Sequence, residues 1–224
     1  VEEAYRAGHV PIASAEGFLR QVIGWREFVN GIYWLWMPEY RSLNALEAER
    51  PLPPLFRGAP TDMRCVRSTM ASVNDHAYAH HIQRLMIIAN LALVASVEPA
   101  QLTDWMRRSF IDGGDWVMQP NVVGMGLYAD GGRMATKPYA AGGNYINRMS
   151  DHCRDCRFDP KERTGPDACP FSTLYWDFLD RNQARLADNP RMGRQLGGAR
   201  RLSDMDAVRI RAQEVLGALD RGEL

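Results

Sequence analysis

Residues 75–95 read DHAYAHHIQRLMIIANLALVA, and no other stretch of the chain says as much about its architecture. The apolar residues recur at helical spacing, and Asn74 or Asp75 is a suitable N-cap, so we predict one long helix here. The apolar run over residues 85–97 is interrupted by Asn90 and is shorter than the roughly 20 residues that cross a bilayer. We therefore expect a core helix of a soluble, cytoplasmic protein that has no membrane contact.

The same stretch holds three of the five histidines of the chain. His80 and Arg84 are four residues apart and would share a helix face, and His76 and His80 have the same spacing. We favour a ligand on this face, with Arg84 holding an anionic group and His81 moving a proton near neutral pH. A metal pair is a weaker alternative because no carboxylate follows the H-E-x-x-H pattern, and hydrogen-bonded core histidines remain another.

Outward from this stretch, the chain also reads as helices joined by turns. We predict helices over residues 14–36 with Ser14 as N-cap, over a short segment around Cys65, from Glu98 or Pro99, over residues 172–186, and after Ser203. Residues 111–144 are rich in glycine and are predicted to be loop. No stretch alternates in the strand pattern, and neither a P-loop nor a G-x-G-x-x-G motif occurs. The fold class should be all-α.

The helix over residues 14–36 combines an apolar stripe with an unusual polar set. The stripe consists of Phe18, Val22, Trp25, Phe28 and Val29. Beside it lie Gln21 and Arg26, and buried arginine needs an acidic partner, for which Asp112 and Asp115 are candidates. With Asn121 in the glycine-rich segment, these polar groups would suit a large, flat, polar-edged cofactor. Ordinary core salt bridges are the alternative.

The four cysteines of the chain are Cys65, Cys153, Cys156 and Cys169. The last three lie in residues 151–170, DHCRDCRFDPKERTGPDACP, a stretch too polar and turn-rich for an ordinary core. Four thiolates can ligate a [4Fe–4S] cluster or tetrahedral zinc, and one close pair with two single cysteines favours the cluster over zinc. Buried free cysteines and two disulfides are the other interpretations, and without a visible signal peptide the disulfides are disfavoured.

The charge distribution says less about function than the motifs do. The chain has 27 basic and 27 acidic residues, which does not point to non-specific nucleic-acid binding. Six arginines between Arg181 and Arg201 stand against one acid, Asp188. They could contact phosphates or could simply form a solvated surface.

Five segments together resemble the C-terminal flavin domain of photolyases and cryptochromes, and most closely the bacterial iron–sulfur group of (6-4) photolyases. They are EGFLRQVIGWREF (16–28), AYAHHIQRLM (77–86), DWVMQPNVVGMG (115–126), KPYAAGGNYINRMSD (137–151) and CPFSTLYWDFL (169–179). The cysteine spacing also matches this group. The resemblance covers about residues 14–192.

The resemblance implies a helical FAD-binding domain over residues 1–224, part of a longer chain whose N-terminal α/β antenna domain, with its pigment, is absent. The implied FAD contacts are Gln21, Trp25, Arg26, His80, Arg84, Asp112, Asp115 and Asn121. A [4Fe–4S] cluster would sit on the four cysteines. The implied lesion contacts are His81, Tyr139 and Tyr145, and Trp105 would lie on an electron route to the flavin.

The implied function is light-dependent repair of UV pyrimidine dimers in DNA, with the (6-4) type favoured, by a monomer acting as a lyase. A blue-light photoreceptor on the same scaffold is the first alternative, and a zinc-stabilised helical DNA-binding domain is the second. Two departures from the family pattern bear on this choice. Leu85 stands where animal (6-4) enzymes carry a further histidine, and Arg57 stands near where relatives usually place a tryptophan.

Overall fold

The computed structural model describes residues 1–224 and contains no β-sheet. Strand-type pairing is limited to two isolated bridges, Arg50 with Val97 and Asp159 with Ala168. The predicted all-α fold class is confirmed. No helix is long and apolar enough to cross a membrane.

Thirteen α-helices follow one another along the chain. Their bounds are α1 Glu2–Arg6, α2 Ile12–Leu19, α3 Arg26–Trp36, α4 Arg64–His76, α5 His81–Gln83, α6 Asn90–Val94, α7 Pro99–Ser109, α8 Asp115–Gln119, α9 Gly143–Met149, α10 Pro170–Arg181, α11 Gln183–Leu186, α12 Gly193–Arg200 and α13 Met205–Arg221. Short 3₁₀ helices occupy Glu39–Ser42, Pro54–Arg57 and His152–Asp155.

Three of the longer helices widen into π-helical turns. These segments are π1 Arg20–Trp25, which joins α2 to α3, π2 Arg84–Ala89, which joins α5 to α6, and π3 Pro120–Gly126, which continues α8. A π turn holds one more residue than an α turn, and such turns are frequent at functional sites. The regular helical spacing of the sequence did not reveal them.

The core forms one continuous cluster beneath these helices. The helix formed by π2 and α6 lies at its centre, and every residue from Met86 to Ala95 is buried. Helix α10 packs against α6, α12 and α13. The prediction that the apolar part of residues 75–95 is core helix is therefore confirmed.

The predicted start of that long helix is wrong. Asn74 and Asp75 lie in the last turn of α4, which ends where Ala77 adopts a left-handed backbone with φ 49°. The next helix begins only at His81, with His80 as its N-cap. The spacing arguments that placed His76, His80 and His81 on one continuous helix therefore do not apply.

Other helix boundaries also differ from the predictions. The helix expected from Ser14 begins at Ile12, after Pro11, whose fixed φ suits the position before a helix. The last helix begins after Asp204 rather than after Ser203. The helix that carries Cys65 is thirteen residues long rather than short. The helix start at Pro99 is confirmed, with Glu98 as N-cap.

The glycine-rich segment 111–144 is not all loop, because it contains α8, π3 and the start of α9. Gly124 shows why glycine is needed inside a helix here. A Cβ at this position would lie 2.3 Å from the Tyr40 hydroxyl and 2.7 Å from the Asp130 carboxylate. These two groups form a buried hydrogen bond of 2.6 Å, so the glycine makes room for a polar contact under π3.

The apolar stripe of the N-terminal helix is only partly in the core. Val29 is 5% exposed, whereas Phe18, Val22, Trp25 and Phe28 are each at least 40% exposed. The stripe was predicted from spacing alone, and spacing cannot say what covers a face.

Candidate functional site

One large open cleft, of about 790 Å³, lies between π1 with the start of α3, π2, π3 and α9. Its lining is mostly apolar and aromatic with a few polar groups, which is the usual character of a cofactor or ligand site. Eight of the predicted site residues line it: Gln21, Trp25, Arg26, His80, His81, Asn121, Tyr139 and Tyr145. Segments that are more than 100 residues apart in the chain therefore meet here.

All three π segments contribute to this cleft. Gln21 and Trp25 come from π1, Met86 from π2, and Asn121 and Met125 from π3. The wider turn changes which residues of a helix face the cleft, so the π segments set the register of the lining. The Asn121 side-chain NH₂ donates to the Val117 carbonyl at 2.8 Å, which leaves the amide oxygen for the cleft.

Arg84 lies in a second, smaller pocket of about 80 Å³ that shares His81 and Asn121 with the cleft. Its guanidinium lies over the rings of Phe110, at 4.2 Å, and Tyr78, at 4.9 Å. It donates to the Ala79 carbonyl at 2.7 Å and to the Asp112 carboxylate at 2.8 Å. Stacking and charge-assisted hydrogen bonds together make Arg84 a rigid cation at the base of the site.

His81 is the titratable group of the cleft that is best suited to transfer a proton. Partial burial lowers its pKa below the ordinary value of 6.5, and the neighbouring His80 and Arg84 charges act in the same direction. The neutral imidazole is therefore favoured near neutral pH, and the ring can accept or pass on a proton.

The two predicted aspartates have different surroundings. Asp112 pairs with Arg84, so it reaches the site through that residue. Asp115 is absent from the cleft lining and is held instead by the Tyr33 hydroxyl at 2.8 Å and by Arg107 at 2.8 Å. Burial alone would raise the pKa of Asp115, but the hydrogen bonds from Tyr33 and Gln119 and the charge of Arg107 hold it below its ordinary value.

Trp105 lies outside the cleft. Its indole N–H donates to the Phe56 carbonyl at 2.8 Å, and its ring packs edge-on against Phe56 and Phe110. Because the Arg84 guanidinium lies over Phe110, Trp105 connects to the smaller pocket through Phe110 and Arg84.

The four cysteines line a separate, much smaller cavity of about 10 Å³. Cys65 comes from the first turn of α4, Cys153 and Cys156 from the His152–Asp155 helix and the residue after it, and Cys169 from the N-cap of α10. Burial raises the pKa of the Cys65 and Cys153 thiols and raises that of Cys169 to about 11. A metal that binds here must displace protons from these thiols.

The four thiols line a cavity rather than a preformed metal position. No group of three or more His, Cys, Asp or Glu side chains is arranged to hold a metal ion. The other walls of the cavity include Ile146, Phe158 and Phe171. Four thiolates are the ligand set of a [4Fe–4S] cluster and also of tetrahedral zinc, so the donor chemistry fits either group.

Helix α9 lies between the two sites. Tyr145 lines the cleft, while Gly143 and Ile146 line the cysteine cavity. A Cβ on Gly143 would lie 2.7 Å from the Cys169 sulfur, so only glycine fits without a shift. On the other side, the Asn90 side chain both donates to and accepts from the backbone of Ala141, at 2.9 and 3.0 Å. The segment that carries Tyr145 therefore contacts both the cleft and the cysteine cavity.

Sequence reasoning did not identify several residues of the cleft, notably Val29, Ile82, Met86 and Met125. They are apolar, and nothing in the sequence separates an apolar cleft residue from an apolar core residue. The arginine-rich stretch was also ambiguous. Here Arg181 pairs with Asp177, Arg185 with Glu47, and Arg200 donates to Gln183, so half of its arginines are bound within the chain.

No protein-family model matches the chain. Over 221 residues, 98% of its length, it is 48% identical to a protein of Agrobacterium fabrum described as a (6-4) photolyase. The match covers 44% of that protein, so the chain spans less than half the length of this relative. Over 97 residues, 43% of its length, the chain is 35% identical to the uncharacterized protein R855 of Acanthamoeba polyphaga mimivirus, and this match covers 72% of R855.

Proposed function

This chain belongs to the photolyase and cryptochrome family, and we propose that it forms the helical cofactor domain of a light-dependent DNA repair flavoprotein of the (6-4) type. The observation that carries the proposal is the common cleft of eight predicted contact residues. These residues were chosen on sequence resemblance, and packing of distant segments brings them to one place. The proposed substrate is DNA that contains UV lesions, and the proposed setting is a monomer in the cytoplasm.

The cleft suits FAD in size and in chemistry. Trp25 offers an aromatic face, and Gln21, Arg26, His80 and Asn121 offer polar groups around an otherwise apolar lining. Arg84 would hold negative charge, because its guanidinium is fixed by Asp112 and two aromatic rings. Bound in its reduced form and excited by light, FAD supplies the electron that opens the lesion.

The protein's own part in repair would be to bind, orient and protonate. Chemistry on a stacked base is blocked, so the lesion must leave the double helix, and an open cleft can receive it. Tyr139 and Tyr145 would contact the flipped nucleotides, and His81 would donate or accept the proton that (6-4) reversal requires. The [4Fe–4S] cluster would be held by Cys65, Cys153, Cys156 and Cys169. Its role at this position would be to link two segments that are distant along the chain.

A repair assay tests the proposal directly. Protein reconstituted with FAD, iron and sulfide is illuminated, in the presence of a reductant, with an oligonucleotide that contains a (6-4) photoproduct, and products are separated chromatographically against dark and undamaged controls. We expect light-dependent repair, and a loss of about 100-fold or more for His81→Asn because general acid–base groups contribute that much. His9→Asn is the matched control, since His9 is exposed and lies outside the cleft.

A blue-light photoreceptor is the second candidate, and Arg57 is the observation that favours it. Trp105 is flanked by Phe56, the residue before Arg57, and by Phe110, rather than by a second tryptophan. Photoreduction by light with no repair in the same assay would support the photoreceptor and contradict repair. Zinc in place of iron by metal analysis, with no flavin bound, would contradict both.

A further inference from the structure

The connection between α4 and α5 is unusually well held for a break between helices. The backbone carbonyls of residues 77–80 lie outside α4, and each accepts a hydrogen bond. They accept, in order, from the Ile111 N–H at 2.9 Å, the Ser72 hydroxyl at 2.9 Å, the Arg84 Nε at 2.7 Å and the Arg84 N–H at 3.0 Å. A connection whose carbonyls are all bonded forms a rigid platform.

The platform ends in a capping box made by His80 and Gln83. The His80 Nδ1 accepts from the Ile82 N–H at 3.2 Å, and the Gln83 Oε1 accepts from the His80 N–H at 3.0 Å. Serine, threonine, aspartate and asparagine are the usual residues at an N-cap. An imidazole in this position points to a second use for the ring, and His80 also lines the cleft.

The hydrogen bond to Nδ1 fixes the chemistry of the ring. A neutral imidazole carries one proton, and an Nδ1 that accepts must leave that proton on Nε2. The ring therefore has one polar group left for the cleft, the Nε2–H donor. A ligand that meets it must present an acceptor, such as a carbonyl or phosphate oxygen.

The box also sets the position of His81. This residue is the first of α5 and follows the cap directly, so its ring direction depends on where the helix starts. Gln83 is absent from the cleft lining, yet its side chain closes the box behind His80. Without that contact the His80 N–H has no side-chain partner, and the start of α5, and with it the His81 ring, is held by fewer bonds.

We propose that Gln83 is a positioning residue, which holds His80 as a fixed Nε2–H donor toward an acceptor oxygen in the cleft and holds His81 in proton-transfer geometry. The assignment of proton transfer to His81 rests on the proposed function. The platform and the tautomer of His80 do not, so they can be tested separately.

The first test is ¹⁵N NMR of the histidine rings in the full chain, with Gln83→Glu and Gln83→Leu compared. Glutamate keeps an acceptor oxygen at the third position of a capping box, whereas leucine has similar size and no acceptor. We expect an acceptor-type Nδ1 on His80 in the wild type, altered His80 and His81 resonances in Gln83→Leu, and a return toward the wild-type spectrum in Gln83→Glu. An Nδ1–H tautomer for His80, or unchanged resonances in Gln83→Leu, overturns the proposal.

The second test separates positioning from donation. His80→Asn keeps a good N-cap but removes the Nε2–H donor, so we expect the His81 resonance to stay while FAD affinity, measured by fluorescence titration, falls about tenfold, the weight of one hydrogen bond. In the repair assay, Gln83→Leu should lower the rate about 10- to 100-fold at an unchanged melting temperature, as misplaced catalytic groups do. A wild type that shows no repair would contradict the proposed function and leave the NMR result standing. A His81 resonance that moves in His80→Asn would contradict the separate role of the cap.

Discussion

The cleft and the cysteine cavity are built in opposite ways. The cleft is large and open, and most of its polar groups come from helices or from residues adjoining them. The cavity is small, and while Cys65 and Cys169 are buried, Cys153 and Cys156 are partly exposed and lie in the loop-rich stretch between α9 and α10. Packing of helices therefore forms the cleft before any ligand arrives. The cavity has little regular structure of its own, so it should depend on what binds its thiols.

The largest expected effect comes from removing one thiol. Cys153→Ser should lose its iron and lower the melting temperature, because metal binding in such a site is coupled to folding. A loss of about 3 kcal/mol corresponds to about 6–12 °C for a chain of this size. Iron analysis and thermal unfolding of anaerobically purified protein measure both quantities. Full iron content with unchanged melting would remove Cys153 from the ligand set, and with it the dependence of the cavity on its occupant.

A methyl group placed between the two sites should disturb both. Gly143→Ala puts a Cβ 2.7 Å from the Cys169 sulfur and 3.0 Å from the Ser172 oxygen. Overpacking of this kind costs about 1–3 kcal/mol, and we expect lower iron retention together with weaker flavin binding because α9 carries Tyr145.

Gly198→Ala is the matched control, since its Cβ would be 3.6 Å from the Trp176 ring in ordinary contact. Its melting temperature should be unchanged or slightly higher, as expected for glycine replaced in a helix. If Gly143→Ala lowers iron content and leaves flavin affinity as in the wild type, the two sites are independent.

Altering a π turn should affect the cleft alone. Deletion of Gly24 from π1 removes the extra residue of the turn and rotates Gln21 relative to Trp25. We expect flavin affinity, measured by fluorescence titration, to fall about tenfold while the iron content stays constant. Gly24→Ala keeps the residue count and meets no atom within 4 Å, so it should bind as the wild type does. Equal affinity in the deletion variant would show that the π turn has no role in the lining.

The smallest expected effect is the pH dependence of folding stability that His81, a residue of the cleft, confers. Its pKa in the folded state lies below 6.5, so between the two values the unfolded chain binds a proton that the folded chain does not. Stability should therefore fall as the pH decreases below about 6.5 and level off below the folded pKa. NMR titration gives the midpoint, and His81→Gln should remove this part of the acid-side loss. A midpoint at or above 6.5 would contradict the partial burial of the ring.

Much of the candidate site could be named from the sequence, because polar and aromatic residues stand out at spacings that resemble a known family. The helix ends were harder. Asn74 and Asp75 are better N-caps than His80 by preference, but Ala77 in a left-handed conformation ends α4 and moves the helix start by several residues. Local propensity cannot detect this, because the Ala77 carbonyl at the break is bonded by the N–H of Ile111, which is distant along the chain.

The sequence by itself determined the all-helical class, the central core helix and the identity of the four-cysteine set, since these follow from periodicity and composition. Only the tertiary structure decided that eight site residues share one cleft while Arg84, Asp112, Asp115 and Trp105 lie outside its lining. It also decided that π turns determine which helix residues face the cleft. Helix α9 lies between the cleft and the cavity, with Gly143 against the Cys169 sulfur. The physical reason is that periodicity reports which face of a helix is apolar, whereas packing of distant segments determines what that face meets.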